Sequence, residues 1–431
     1  MPAMTAHVRT ASAPLAAAAS PEPDHRPPFV PPLRTAAARA RSLALFVVLL
    51  LSIFAAQAAP RIGVATMQPG EIFFERFGHN AIVVEDASPD GRGETLSYNF
   101  GFFDMEEAGF MGRFIKGDMR YYLARLPWRD DLQYYLDSGR GVRIQWLDLT
   151  PAQAEAMAAA LAENAKPENA RYRYDYFTDN CATRVRDAVD RALGGTLKPQ
   201  LVSRSQGNTY RSEAVRLASP APWMWLGFDI GLGPSADQPL SRWEDAYVPM
   251  RLADSLREAR LPDGRPLVRA EEEVAPHRIA PEPAEFAQSW WRWLLAGLAI
   301  SALWGVWRSR APRTAAAAAT LFWLASATLG TVMLLIWLGT EHRFAWANRN
   351  LLLLSPLCWL LLPGGWRLLR GRAPGRLFRI ALAAIAICAV LAPFAHWFAA
   401  VPQTNGHWIA LLLPIHAAFA LAWLHNPSAP R

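Results

Sequence analysis

The sequence predicts an α+β domain followed by a C-terminal α-helical membrane domain of about five transmembrane helices. Three observations lead there. Between residues 60 and about 200, short apolar segments with strand character alternate with helical patterns. Beyond residue 289, apolar runs of near-bilayer length recur with arginines between them. The charge is also unevenly divided: residues 60–288 hold 27 of the 44 Lys+Arg and 34 of the 37 Asp+Glu, a net of −7, which leaves +14 for the rest. The basic excess, almost all arginine, flanks apolar runs and the N-terminal tail, so it signals membrane topology and argues against a nucleic-acid partner.

The elements follow in order. Residues 1–40 are rich in Ala and Pro and read as a disordered extension or a start codon placed too early. The apolar stretch LALFVVLLLSIFAA, followed by Ala56-Gln57-Ala58, makes 41–59 a signal peptide, with an uncleaved anchor as the alternative. Either way, residues 60–288 form the exported domain. NAIVVED, ETLSYNFG, DMRYYLARL and GVRIQWLDL read as strands. Residues 105–114 read as an acidic helical patch, and RDDLQYYLDSG as a helix closed by Gly139. TPAQAEAMAAALAENA is a helix with Thr150 as N-cap, Pro151 in the first turn and Gln153 completing a capping box. From 200 to 288 the pattern weakens to loops and short helices, ending in the linker VAPHRIAPEPAEF.

The membrane domain is 289–425. Its apolar runs are 293–307, 315–338, 350–362, 380–400 and 408–424. The third spans only if it starts near Phe344, so four or six spans are the alternatives. Arginine clusters follow the first and third runs, which puts those loops in the cytoplasm and the 60–288 domain outside.

The chemistry centres on FTDNCATRVRDAVDRAL. Cys181 is the only cysteine before Cys358, so there is no disulfide framework, and Cys358 and Cys388 sit in apolar runs as packing residues. Cys181 follows three N-cap types and opens an amphipathic helix with Val185, Ala188, Val189 and Leu193 on one face. A helix N-terminus lowers a thiol pKa and offers free N–H groups to an oxyanion. Arg184 and Arg186 could add to this, with Asp179 opposing them. The competing reading is a small buried core cysteine. A thiolate nucleophile needs an imidazole, and the exported domain has only His79 and His277. His277 lies in the linker as a solvated loop residue, whereas His79 starts a strand. Asn99, on the next strand, is the best choice to orient His79, with Tyr98 and Asp179 as competitors. There is no HExxH, no cysteine pair and no phosphate loop, so neither a metal nor a cofactor is expected.

FGHNAIVV, YNFGFFD, FIKGDMRYYL and YDYFTDNCATRVRDAVDRALGG, in that order, resemble the Lnb N-terminal periplasmic domain family. GLGPSADQPLSRWEDAYVP and TEHRFAWANRNLLLLSP resemble the rest of that architecture. The resemblance implies a circularly permuted papain-like (NlpC/P60-like) fold in which the histidine precedes the cysteine. It further implies a lipoprotein N-acyltransferase-like activity with Cys181 as nucleophile and His79 as base. His342, Asn348 and Asn350 match the family's H-x5-N-x-N loop and would bind a lipid headgroup or the amine acceptor. The implied setting is the bacterial inner membrane with the 60–288 domain in the periplasm and a lipid or lipoprotein as substrate. Two other readings stand beside it, a cysteine hydrolase of cell-wall or lipoprotein bonds and a non-catalytic envelope assembly module.

Overall fold

The computed structural model describes residues 59–86, 93–285 and 288–425, all within one compact unit, Gln57–Arg431. The expected extension at 1–40 and, but for residue 59, the signal peptide or anchor at 41–59 lie outside the described residues.

The N-terminal region is α+β, built on a seven-stranded antiparallel sheet in the order β6-β4-β3-β2-β1-β5-β7. In chain order its strands and principal helices are β1 (Arg61–Met67), β2 (His79–Glu85), β3 (Leu96–Phe102), α1 (Phe110–Lys116), β4 (Met119–Pro127), α2 (Trp128–Asp137) and β5 (Val142–Leu147). Then come α3 (Pro151–Asn164), β6 (Arg171–Tyr174), α4 (Cys181–Ala192), α5 (Tyr210–Ala218), α6 (Pro222–Gly231), α7 (Pro249–Glu258) and β7 (Val268–Ala275).

The central strands β1 and β2 are covered on both faces. Successive side chains point to opposite sides of a strand. Ile62, Val64, Ile82 and Val84 accordingly pack with Val185 and Val189 of α4 and with α3 and α7. Ala65, Met67, Ala81 and Val83 pack on the other side with Tyr135 and Leu132 of α2. Two faces, two helices: that sandwich positions the site described below.

Four strands and α2, α3 and α4 lie where the sequence places them. The acidic patch at 105–114 becomes turns, and the helix there, α1, begins only at Phe110. β1 and β6 were not expected, and β7 occupies ground read as loop and linker. His277 is not a free loop residue: its Nδ1 accepts from the Gly141 N–H at 3.0 Å, tying the segment after β7 to the start of β5.

The C-terminal region comprises α8 (Trp290–Arg310), α9 (Pro312–Gly339), α10 (Leu362–Leu369), α11 (Arg376–Trp397) and α12 (Gly406–Ala420). Among the described residues, three helices are long and apolar enough to cross a membrane: α9, α11 and the continuous stretch Gly406–Leu424. A fourth span results if the pair Arg343–Leu352 and Pro356–Leu369, bent by 42°, counts as one. The remaining expected span, α8, carries five Trp and three Arg and is not among them. It packs on α12 nonetheless, with Trp304 stacked edge-on against Phe419 and Trp423.

The two regions meet at one end of this bundle. Trp225 of α6 lies beside Trp293 at the start of α8, and Glu341, just after α9, bonds through its N–H to the Lys116 carbonyl. Asp229 of α6 accepts from His407 and Trp408 at the start of α12 at 2.7 and 2.9 Å. Arg308, Arg310, Arg367 and Arg376 lie at the opposite helix ends.

Candidate active site

Asn180 is the N-cap of α4: its side chain accepts from the Thr183 N–H at 2.9 Å, and the Thr183 hydroxyl accepts from the Asn180 N–H at 2.7 Å. Such a reciprocal box fixes the first turn and stabilises it by about 1 kcal/mol. It also fixes Cys181 as the first helical residue. The Asn180 amide further donates to the Tyr176 and Tyr247 carbonyls, both at 2.9 Å, so the cap is anchored in tertiary structure. Cys181 is 8% exposed.

His79 opens β2 after Gly78, which has φ +76°. A Cβ there would lie 2.9 Å from the Met67 carbonyl oxygen, so only glycine fits the turn that delivers the imidazole. Asn99 comes from β3, antiparallel to β2, with Ile82 opposite Tyr98. In that register Asn99 is the same-face diagonal neighbour of His79, and Asn99 Oδ1 lies 3.0 Å from His79 Nε2. Asn99 in turn donates from Nδ2 to Asp131 Oδ2 at 2.9 Å and to Ser97 Oγ at 3.1 Å. That orientation leaves Oδ1 as the acceptor, so Nε2 carries the proton and Nδ1 is the nitrogen left for the thiol.

Cys181 and His79 are hydrogen-bonded to one another, and the backbone N–H groups of Asn80 and Ala182 also point at the sulfur. Burial opposes a thiolate here. The His79 charge, its hydrogen bond and the two N–H groups outweigh that penalty and hold the Cys181 pKa below the ordinary thiol value. For His79, burial likewise opposes the charged form. The Cys181 thiolate, the hydrogen bond to it, Asp131 and Asn99 together keep the imidazole above its ordinary value. Each group favours the charged form of the other.

The site runs through the sheet at two interior strands. Cys181 comes from the helix on one face, Asp131 from the helix on the other, and His79 and Asn99 from the strands between. A bulge in β3 at Gly101, φ +92°, makes room: a Cβ there would sit 3.2 Å from the Tyr174 ring and 3.8 Å from Cys181 Cβ.

Residues 57–213 match the family model of the Lnb N-terminal periplasmic domain. This part of the chain is similar to that family's domain. The match takes in β1 through the first turn of α5, and so all four residues of the constellation. With the apolar helices that follow, it makes the chain a membrane protein with a periplasmic segment. No match to the chain was found among curated proteins or among solved structures.

Within the Lnb domain the structure therefore brings Cys181, His79 and Asn99 together. It does not bring the two neighbouring arginines to the sulfur. Arg184 is ion-paired with Asp179 and lies over the Tyr172 ring, and Arg186 donates to the Trp243 carbonyl and pairs with Asp187. Tyr98 packs in the core on the α4 side of the sheet, leaving Asn99 as the group on His79.

His342, Asn348 and Asn350 lie apart from this constellation, and their polar groups are engaged in joining the two regions. His342 Nε2 is 3.2 Å from the carbonyls of Phe114 and Ile115. Asn348 donates to the Ile230 and Gly231 carbonyls at 2.7 and 3.0 Å, and Asn350 to Ile230 at 2.9 Å. Gln403 and Asn405 complete the set by donating to Asn348 and Asn350. Both asparagines are buried, with their side-chain groups bonded within the chain. Asp131 was missed: nothing local in RDDLQYYLDSG marks one aspartate of the first turn as a partner of Asn99.

Proposed function

We propose that this protein is a membrane-bound thiol acyltransferase, moving a fatty acyl group from a phospholipid or lipoprotein to an amine such as a lipoprotein N-terminus. The observation that carries the reading is the Cys181–His79–Asn99–Asp131 chain, with His79 half-buried and the other three buried, in a domain seated on an apolar helix bundle. A nucleophile and base aligned by a third group is the arrangement that acyl transfer requires. Seating on a bundle of spans, with α8 taken as the fifth, suits a donor that lives in the bilayer.

The steps follow from the pair. The Cys181 thiolate attacks the donor ester carbonyl, and the N–H groups at the start of α4 receive the oxyanion. Collapse expels the alcohol of the donor, which takes its proton from the His79 imidazolium, and a Cys181 thioester remains. An amine then attacks the thioester, His79 takes its proton, the amide forms and the thiol is restored. Water as acceptor would make the same site a hydrolase.

Intact-mass analysis of the detergent-solubilised protein, with phospholipid supplied, tests this directly. The expected result is an added acyl mass that neutral hydroxylamine removes and that Cys181→Ser lacks. An unmodified Cys181 that still alkylates, together with cleavage of peptidoglycan fragments, would turn the assignment to a hydrolase.

A further inference from the structure

The catalytic region of the Lnb domain carries an exposed apolar rim that the site chemistry leaves unexplained. On α1, Met111 and Ile115 lie four residues apart, hence on one helix face, and each is 62% exposed. Arg113 and Lys116 share that short helix. Phe73 and Phe74 are exposed in the short turn Phe73–Glu75, which is held down by Glu75, itself buried and paired with buried Arg140 at 3.3 Å. Phe73 stacks on Trp223, which is 66% exposed on α6.

Both ends of this rim stand at the level where helices leave the bundle. The carbonyls of Phe114, Ile115 and Lys116 bond to His342 and Glu341, just beyond α9. Trp223 belongs to α6, whose Leu226 and Ile230 pack into the bundle core. The rim is thus continuous with the exposed apolar surface of α9, where Leu335 and Leu338 are open.

From the rim an unbroken row of rings leads inward. Phe74 meets Phe103 edge-on at 5.6 Å, Phe103 stacks on Tyr121 at 4.8 Å, and Tyr121 meets Tyr174 at 4.5 Å. Tyr174 and Cys181 both border the space left open at Gly101, where a Cβ would lie 3.2 Å from the Tyr174 ring and 3.8 Å from Cys181 Cβ. Phe74 is exposed, Phe103 and Tyr174 are half-buried and Tyr121 is buried between them, where burial pushes its phenol up to about 12 despite a hydrogen bond with Tyr176. Exposed apolar residues flanked by Lys and Arg, set at the bilayer surface, fit acyl chains below and phosphates above.

We infer that Met111 and Ile115 of α1, with Phe73 and Phe74, dip into the outer leaflet and pass one acyl chain of a membrane phospholipid along the Phe103–Tyr121–Tyr174 row to Cys181. The inference rests on the acyl-transfer reading for the chemistry that follows, but the lipid contact itself does not.

Two measurements on the full chain in vesicles of phosphatidylethanolamine and phosphatidylglycerol test it. In the first, a trace phospholipid carries a diazirine in one acyl chain, and cross-links are mapped after irradiation. Adducts on Met111, Ile115, Phe73 or Phe74 are expected beside those on the helices. Adducts confined to 289–425 would overturn the inference. In the second, Met111→Glu/Ile115→Glu should slow acyl-thioester formation at Cys181 by about tenfold, the loss of roughly one apolar side chain's burial in lipid. Alkylation of Cys181 by iodoacetamide should stay at the wild-type rate. A double variant that acylates as fast as wild type also sinks the inference while leaving the acyltransferase standing. Adducts on the rim with no thioester in either protein would keep the lipid surface and remove the acyltransferase.

Discussion

His79 Nε2 and Asn99 Oδ1 meet at 3.0 Å across adjacent strands, and the far side of Asn99 is held by Asp131 at 2.9 Å. Asn99 is therefore a positioning residue. It sets the ring angle and the tautomer of His79 and relays the fixed charge of Asp131 without touching the thiol.

Asn99→Ala should leave the fold intact but free the imidazole to rotate. Misplacing a catalytic base by about 1 Å costs on the order of 10²-fold in rate, so thioester formation should fall by about that much. Asp131→Asn should cost less, because Asn99 keeps an acceptor. The pH profile is the discriminating readout. Both variants should move the alkylation midpoint of Cys181 upward, which a purely structural loss would not do.

The mutual support of Cys181 and His79 has a direct signature. Alkylation by iodoacetamide needs the thiolate, and the pKa of Cys181 is lowered. Its rate should therefore remain high at pH values where a free cysteine is protonated, falling only as the pH drops through the lowered value. His79→Ala removes the charge and the hydrogen bond that oppose burial, so the midpoint should rise above the ordinary thiol range. At pH 6.5 the variant should react at least about tenfold more slowly, since each unit of pKa is tenfold in thiolate. An unchanged midpoint would mean that the two side chains are not paired in solution.

The parts of this molecule legible in the sequence are those that local chemistry decides. The Thr150–Gln153 box is a four-residue event and stands where its residue types put it, and α4 starts directly after the three N-cap types Thr178, Asp179 and Asn180, of which Asn180 is the cap. β2 to β5 are visible as short β-prone runs. β1 was not, because Arg61–Met67 is buried on both faces and so lacks alternation. β7, VRAEEEVA, failed for the opposite reason: it is an exposed edge strand, and the charges that keep such an edge from pairing further make it resemble a linker. Asn99 could be guessed from strand adjacency. Asp131 could not, since its contact with Asn99 spans 32 positions and depends on which face of the sheet α2 covers. The polar pattern of His342, Asn348 and Asn350 was legible as unusual, but not whether its partner was a ligand or the rest of the chain.

Asn348 makes a sharp test of that last point. Its amide donates twice to α6 carbonyls and its oxygen accepts from Asn350 N–H and Gln403. Asn348→Ala would strand the Gly231 carbonyl and the Asn350 N–H in a buried junction, while Ile230 keeps Asn350 and Gln403 keeps Leu232, at a cost of about 1–3 kcal/mol. A lowered melting temperature and faster proteolysis in the 276–289 segment are expected, with Cys181 alkylation within about twofold of wild type. If stability is unchanged and only the KM for the lipid donor rises, Asn348 faces substrate after all.

Asp245 offers a pH-dependent stability that is independent of the thiol. It is buried, accepts from Asn208 at 3.0 Å, and its Oδ1 has no hydrogen-bond partner. Burial and the nearby charge of Glu213 push its carboxyl up to about 6, against Asn208, Arg251 and Arg242, which pull it down. The unfolded chain titrates this carboxyl near 3.8. Well below the unfolded value both states hold the proton and nothing is lost. As pH rises from about 3.8 to about 6 the unfolded state ionises while the folded state still holds its proton, and the penalty grows over that window to at most about 3 kcal/mol, then stays constant. Asp245→Asn should therefore raise the melting temperature at about pH 8 and have little effect near pH 3. An equal shift at both pH values would show that the buried carboxyl is not what limits stability there.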